Sequence, residues 1–341
     1  MKAIGLYQYL PISNEKSLVD VYLDRPRPGS RDLLVAVQAI AVNPVDTKVR
    51  APRHGDIKPP ETPQILGWDA AGEVIDTGEE VEGFRPGDRV YYAGDITRPG
   101  CYSEMHLVDE RIVGHMPESL DFAAAAALPL TGLTAWEALF DRLGISPAGA
   151  DTGKSILVIG GAGGVGSIAT QLARHIAGLR VIASASRTKS SVWAKQMGAH
   201  HIVNHRRPLD IELEEHKLGP VDYILCLNDT DQHWPAMANI IKPQGSICSI
   251  VDNREPLDLS LLKPKSATFC WEFMYTRSMF RTPDMHRQQE ILNEIAQLAD
   301  RGTLKSTVNL VQQPINATNL REAHRLLETG RTIGKLVLEG W

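Results

Sequence analysis

Over residues 1–125 the apolar positions come in short runs, "DLLVAVQAIAV", "AAGEVIDTG", "DRVYYAG" and "YSEMHLV", separated by proline and glycine turns. β-branched and aromatic residues bounded by turn formers predict strands, so this part reads as a compact, largely β domain. At 123–140 the pattern changes to "AAAAALPLTGLTAWEALF", an apolar helical region that leads into a second part. There, short apolar runs alternate with helical periods: "SILVI" at 155–159, "SIATQLARHI" with Ile168, Leu172 and Ile176 at helical spacing, then "RVIASAS", "HIVN", "VDYILCL" and "GSICSIV". Strands alternating with helices predict a parallel, doubly wound sheet, an α/β architecture. Beyond residue 270, helix-like "HRQQEILNEIAQLADRG" and "NLREAHRLLETG" precede strand-like "GKLVLEG". The predicted organisation is one domain formed by 1–126 and 270–341, with a second, 127–269, inserted in it. No internal repeat or low-complexity segment interrupts the chain.

Two glycine-rich phosphate signatures lie close together. "AGADTGKS", 148–155, fits a relaxed nucleoside-triphosphate loop through Gly153, Lys154 and Ser155. Such a loop needs a strand before its glycines and a helix after them. Here the strand "ILVI" follows Lys154, so Gly153-Lys154 reads as the turn into it. "GGAGGVG", 160–166, has strand and helix in the required order. Gly161, Gly163 and Gly166 fit G-x-G-x-x-G: a tight turn, bare backbone beside a pyrophosphate, and close packing of helix on sheet. Gly164 and Val165 complete the helix start that a dinucleotide would meet.

Roughly 20 residues after these glycines a dinucleotide fold reads the adenosine ribose, usually with a carboxylate for the NAD 2′-hydroxyl. This chain has Ser186, Arg187 and Lys189 instead. Hydroxyl and cationic donors suit a 2′-phosphate, which predicts NADPH over NADH; the alternative is that Arg187 and Lys189 begin a solvated helix. Ligands of such sheets lie beyond the C-terminal strand ends. That places His205, Leu227, Asn228 and Ile250 beside the cofactor, unless they are ordinary loop residues.

With 341 residues the chain is long enough for two domains with sizeable cores, and its net charge of −5 comes from interspersed signs. No basic cluster of the kind nucleic acid favours is present. No apolar run approaches membrane-spanning length, and the start lacks the features of a secretory signal, so a cytoplasmic protein with no nucleic-acid or membrane partner is expected. The four cysteines, Cys101, Cys226, Cys248 and Cys270, show no C-x-x-C spacing. Neither a disulfide framework nor a zinc ribbon is indicated, and Cys226 and Cys248 read as core residues.

The order of parts resembles the medium-chain dehydrogenase/reductase superfamily, specifically its zinc-independent quinone-oxidoreductase branch and the "zinc-type alcohol dehydrogenase-like" members. The resemblance spans the chain through "NPVDTK", "ILGWDAAGEV", "GDRV", "ALPLTGLTAWEAL", "GKSILVIGGAGGVGSIATQLAR" and "GKLVL". It implies a GroES-like β-rich catalytic domain plus a Rossmann cofactor domain, pairing into a homodimer through edge strands of the nucleotide sheet. Asn43, Asp46, Lys48 and Thr131 are the implied polar catalytic groups. Asn43 and Thr131 would orient a carbonyl or the nicotinamide amide, with Lys48 an electrostatic donor; otherwise Asp46 and Lys48 form a surface ion pair and Asn43-Pro44 a turn. Thr134 is an implied cofactor contact, as is Lys335, which would touch a cofactor phosphate unless it is a solvated strand-start lysine. The aromatic segment "FCWEFMYTRSMF" implies an apolar wall for a flat substrate, with Trp271 and Phe273, and Trp68, lining the pocket; core packing is the other reading of Trp271 and Phe273.

Zinc alcohol dehydrogenases of this superfamily bind catalytic zinc through a Cys, a His in Gly-His-Glu, and a later Cys. At the matching positions this chain has Asn43, Trp68 and a residue close to Leu130. A catalytic zinc needs three good donors, so no metal is expected. Without a Lewis acid a simple aldehyde is hard to reduce, whereas a quinone or enone delocalises the charge of an added hydride. The expected activity is NADPH-dependent reduction of a small quinone or enone. An NADPH-binding protein with a sensing or structural role, and a zinc-dependent alcohol dehydrogenase, are the alternatives.

Overall fold

The structure, a computed structural model, describes residues 1–52 and 60–341. Two compact units make it up, one of Met1–Leu130, Tyr275–Gly302 and Ser306–Trp341, the other of Thr131–Met274 and Thr303–Lys305.

The second unit is built on six parallel strands in the spatial order His201–Val203, Arg180–Ser184, Ser155–Ile159, Val221–Cys226, Ile241–Ser249, Thr268–Trp271. The Ser155–Ile159 strand is buried along its whole length, as a central parallel strand covered on both faces must be. Helix Gly164–His175 follows it and buries Ile168 and Leu172, the residues whose spacing predicted the helix. Leu157, Ile159, Ile182, Ile224 and Ile247 pack with Trp234 and Met237 of helix Thr230–Ile240 into one core cluster. Two details depart from the sequence pattern. The strand read from 245 begins at Ile241, passing through Gln244 at φ +63° and a register shift. The aromatic segment opens with an edge strand, Thr268–Trp271.

In the first unit a seven-stranded sheet runs Val308–Gln312, Lys335–Glu339, Asp32–Val42, Ala70–Thr77, Arg89–Tyr92, Val113–His115, with Met105–Asp109 also pairing to Asp32–Val42. Alternating inward residues Leu33, Val35 and Val37 are buried, which fixes the register of the long strand. A smaller antiparallel sheet joins Val19–Tyr22, Lys2–Leu6 and Gln64–Ile65. The long strand ends at Val42, and Asn43 then caps helix Pro44–Arg50, where Pro44 supplies a preset φ at the first helical position.

The apolar runs are longer than the sequence reading allowed, although the expectation of no membrane span holds. The helical run Phe122–Arg142 is long and apolar enough to span a membrane by length and composition, yet 89% of its apolar window is buried inside the protein, which makes it a core segment. It closes in a π-helical turn, Glu137–Arg142.

Candidate active site

The glycine loop leaves strand Ser155–Ile159 at Gly160, whose φ of +87° is open to glycine at little cost. The Ser184 hydroxyl at the end of the neighbouring strand accepts the Gly160 N–H at 2.9 Å, and the Ser184 carbonyl accepts the Gly161 N–H at 3.1 Å. The three motif glycines then separate by cause. A Cβ at Gly161 would lie 2.6 Å from the Ala183 Cβ, and one at Gly166 2.4 Å from the Gly160 carbonyl oxygen, so packing of the turn and helix excludes side chains at both. At Gly163 a Cβ would meet nothing nearer than 3.5 Å, and its φ is an ordinary −74°. The protein's own packing does not require glycine there, and the bare backbone leaves room for the close approach a dinucleotide pyrophosphate makes in such loops. Gly163 is also the N-cap of the twelve-residue helix and offers no capping side chain, leaving the N–H groups of Gly164, Val165 and Gly166 toward an anion. The residues present therefore fit a dinucleotide.

Further predicted residues converge on the same loop. Leu227 and Asn228 stand 3.5 and 3.6 Å from where a Gly160 Cβ would be, and the Leu227 N–H donates to the Ile159 carbonyl at 3.0 Å. Ile250 follows the next strand, its N–H on the Cys226 carbonyl at 3.2 Å. His205 Nδ1 lies 3.0 Å from the Ser184 hydroxyl, and burial, with Arg206 and Arg187 nearby, lowers its pKa. Ser186 and Arg187 are half-buried at the start of helix Thr188–Gln196, with Lys189 exposed in its first turn. Two residues escaped the sequence reading. Ser184 is an unremarked serine inside a strand pattern, whereas Arg206 directly follows His205 in "NHRR" and could have been read as a second cation there. Lys154 sits at the opposite end of its strand, paired to Asp151 at 2.7 Å, which is the entering turn and not a phosphate loop. Thr131 and Thr134 are buried on helix Pro129–Trp136. Trp271 and Phe273 are 44% and 47% exposed, which removes core packing as their explanation.

The first unit contains a buried polar cluster assembled from distant parts of its chain. Lys335 opens the last strand with its side chain inward, 3% exposed, and its ammonium donates to Asp69 Oδ2 at 2.9 Å, to the Val42 carbonyl at 3.3 Å and to Asn43 Oδ1. Asn43 Nδ2 donates to Asp69 Oδ2 at 3.1 Å and to the Ala41 carbonyl at 3.3 Å, while the Leu130 N–H donates to Asp69 Oδ1 at 3.2 Å. Burial raises the Asp69 pKa against the pull of Lys335 and Asn43. The Asp46 carboxyl accepts the Asn43 N–H and the Tyr102 hydroxyl, both at 2.7 Å, and its Oδ1 has no hydrogen-bond partner among the described residues. Burial pushes it up to about 7, opposed by those two hydrogen bonds and by Lys335. Behind Tyr102, His324 Nε2 lies 3.4 Å from the hydroxyl, and burial lowers this imidazole to about 3.

Several expectations change with this geometry. Lys335 is neither a phosphate contact nor a solvated lysine, because its ammonium is spent on Asp69, Asn43 and Val42 inside the unit. Asn43 has both ends of its amide engaged and is 1% exposed, so it holds the cluster and does not present itself to a carbonyl. Asp46 is buried while Lys48 is exposed, which rules out the surface ion pair. Lys48 lies outside the cluster and lines a groove of about 360 Å³ with Pro11, Ile12, Thr47 and Ala51. Trp68 is buried edge-to-face against Tyr275, centroids 6.4 Å apart. Tyr102 and His324 were invisible in the sequence, since 222 residues separate them and neither lies in a motif.

A catalytic zinc does not fit these residues. The oxygen donors that remain at the metal-binding positions, Asn43 Oδ1 and Asp69 Oδ2, already hold the Lys335 ammonium, a fixed cation, and Asp69 Oδ1 holds the Leu130 N–H. The Cys101 thiol donates to the Asp69 carbonyl at 3.7 Å, and burial pushes its pKa far up, against the thiolate a metal needs. Among the described residues no group of three His, Cys, Asp or Glu is placed to hold a metal ion.

Fold and site together define a two-domain dehydrogenase or reductase built around a dinucleotide loop. The alcohol dehydrogenase GroES-like domain model matches residues 29–118, and the zinc-binding dehydrogenase model matches 197–338. A zinc-type alcohol dehydrogenase-like protein of Staphylococcus epidermidis is 41% identical over 99% of each chain. A crystal structure of a Rhizobium etli protein assigned to the zinc-dependent alcohol dehydrogenases shares 48% identity, covering 100% of this chain and 98% of that one, with a TM-score of 0.93. Escherichia coli quinone oxidoreductase complexed with NADPH is 26% identical over 99% of this chain and 100% of its own, with a TM-score of 0.83. The chain belongs to the medium-chain dehydrogenase/reductase superfamily, in its quinone oxidoreductase-like branch, and is an oxidoreductase with a GroES-like domain and a Rossmann-type nucleotide-binding domain.

Proposed function

We propose that this oxidoreductase uses NADPH to reduce a small quinone or α,β-unsaturated carbonyl, without catalytic zinc. The observation that carries the reading is the Lys335 ammonium on Asn43 and Asp69, where the metal-dependent members would need free ligands. When bound, NADPH supplies a hydride. The glycine loop and helix N-terminus hold its pyrophosphate, and Arg187, with Arg206 and Lys189, supplies cations for a 2′-phosphate. The relative solved with NADPH supports that choice of nucleotide.

With no strong Lewis acid at the acceptor, the chemistry is restricted to molecules that spread the added charge. A quinone becomes a quinol anion and an enone an enolate, and both can be held by a few hydrogen-bond donors until a proton arrives. Thr131 is the donor assigned to that anion, and Trp271 and Phe273 are the apolar surfaces assigned to a flat acceptor. Asn43 and Lys335 act as positioning residues, since their polar atoms are engaged with Asp69. Asp46, whose pKa burial pushes up to about 7, is the group assigned to hold a proton near neutrality. A cytoplasmic homodimer goes with this reading.

The test is acceptor-dependent NADPH oxidation, measured with and without chelator, against an ortho-quinone, a para-quinone, a simple enone and a plain aldehyde. Turnover of quinones or enone without the aldehyde is expected. Saturable NADPH binding with no turnover of any acceptor would move the protein to a binding role. Activity on the aldehyde that disappears with chelator would make it a metal enzyme after all.

A further inference from the structure

The dinucleotide loop carries five glycines over residues 160–166, so it has few side chains of its own to fix its shape. Its order comes from outside the loop. The carbonyl of Gly163, the N-cap of helix Gly164–His175, accepts two hydrogen bonds from Ser167, the N–H at 2.9 Å and the hydroxyl at 2.7 Å. Ser167 is fully buried, and its hydroxyl oxygen in turn accepts the indole N–H of Trp193 at 2.8 Å. Trp193 is half-buried on helix Thr188–Gln196, the helix that Arg187 caps.

The directions along this chain of bonds are forced. An indole nitrogen only donates, so Ser167 Oγ accepts from Trp193 and sends its own proton to the Gly163 carbonyl. A serine bonding back four residues is by itself an ordinary helix feature. Here the indole holds that hydroxyl in one rotor position, and each bond polarises the next. The carbonyl they hold belongs to the peptide between Gly163 and Gly164. A trans peptide is planar with its C=O and N–H opposed, so a carbonyl anchored inside the helix aims the Gly164 N–H out of the helix N-terminus, toward a pyrophosphate.

We infer that Ser167 and Trp193 are positioning residues for the dinucleotide pyrophosphate, presetting the Gly163–Gly164 peptide before the ligand arrives. The inference rests on the dinucleotide reading of the loop and applies to either nicotinamide nucleotide, since both carry the pyrophosphate. Neither side chain is a donor to the ligand: Ser167 gives its proton to Gly163, and Trp193 gives its own to Ser167. What they supply is order. Without them the glycine-rich turn has to be fixed at the moment of binding, and the entropy of that step is subtracted from the affinity. The loss therefore falls on ligands that contain the pyrophosphate and spares those that engage only the ribose end of the site.

The experiment measures dissociation constants by isothermal titration calorimetry for the full-length wild type, Ser167→Ala, Trp193→Phe and the double variant. The ligands are NADPH, NADH and adenosine 2′-monophosphate, which has the ribose phosphate and no pyrophosphate. Alanine keeps the helix and phenylalanine keeps an apolar ring, so each change removes chiefly hydrogen bonds. Each single variant should bind both dinucleotides about three- to tenfold more weakly and adenosine 2′-monophosphate as the wild type does. The double variant should lose no more than the larger single loss, because both residues act through one carbonyl. Unchanged dinucleotide affinities, equal losses for adenosine 2′-monophosphate, or losses that add in the double variant would overturn the inference and leave the proposed function standing. A wild type that binds neither dinucleotide would overturn both.

Discussion

Replacing Asp46 by Asn gives the sharpest physical test of the buried cluster, because it removes a titrating proton while an amide oxygen can still accept from the Asn43 N–H and Tyr102 hydroxyl. The folded carboxyl titrates at about 7, against an ordinary value of 3.8. A carboxyl raised on folding binds more protons in the native state than in the unfolded one between those values. Stability therefore falls as pH rises through that window, by about 1.4 kcal/mol per unit, and levels off above it. Between about pH 5 and about pH 8 the wild type should lose roughly 3 kcal/mol relative to Asp46→Asn. His106 and His324, lowered by burial to about 4 and about 3, act with the opposite sign, adding stability as pH rises to their unfolded value. They are common to both proteins and cancel in the difference. Urea unfolding of the two proteins in parallel across this range reads that difference directly. A gap that stays constant with pH, or that widens in favour of the wild type as pH rises, would refute a protonated, buried Asp46.

Other perturbations test the remaining parts. Lys335→Met leaves the Asp69 charge buried without its cation and should cost roughly 3–5 kcal/mol in unfolding free energy; Lys335→Met with Asp69→Asn should recover part of it. Gly163→Ala should leave the melting temperature nearly unchanged while weakening NADPH binding in a fluorescence titration, whereas Gly161→Ala should lower stability by about 1–3 kcal/mol through its contact with Ala183. Arg187→Ala should weaken NADPH roughly tenfold or more and leave NADH almost unaffected, and Arg206→Ala should act in the same direction, both measured by titration with each nucleotide.

The sequence carried those features that depend on neighbours along the chain. Strand Asp32–Val42, strand Ser155–Ile159 and helix Gly164–His175 were legible because their apolar periods and turn residues are local. The glycine loop was legible for the same reason: turn, phosphate approach and helix packing fall within seven residues. The polar cluster was not, because its ion pair joins Asp69 to Lys335 across 266 residues. A lysine opening an apolar strand looks identical whether it faces solvent or a buried carboxylate, and only the pairing of that strand with Asp32–Val42 turns it inward. The edge strand Thr268–Trp271 was hidden by its aromatic residues, which suit a strand and a pocket wall equally. Ser167 and Trp193 looked unrelated at a spacing of 26 residues because a hydrogen bond between two helices cannot be read from spacing.

The central claim, metal-free hydride transfer to an activated acceptor, is tested most directly with NADPH deuterated at its hydride-donating carbon, chelator-treated protein and an enone. Deuterium at the β-carbon of the saturated ketone, at a rate unchanged by added zinc, is the expected result. NADPH that binds but transfers no deuterium to any acceptor, or transfer that appears only with zinc and only to an aldehyde, would contradict it.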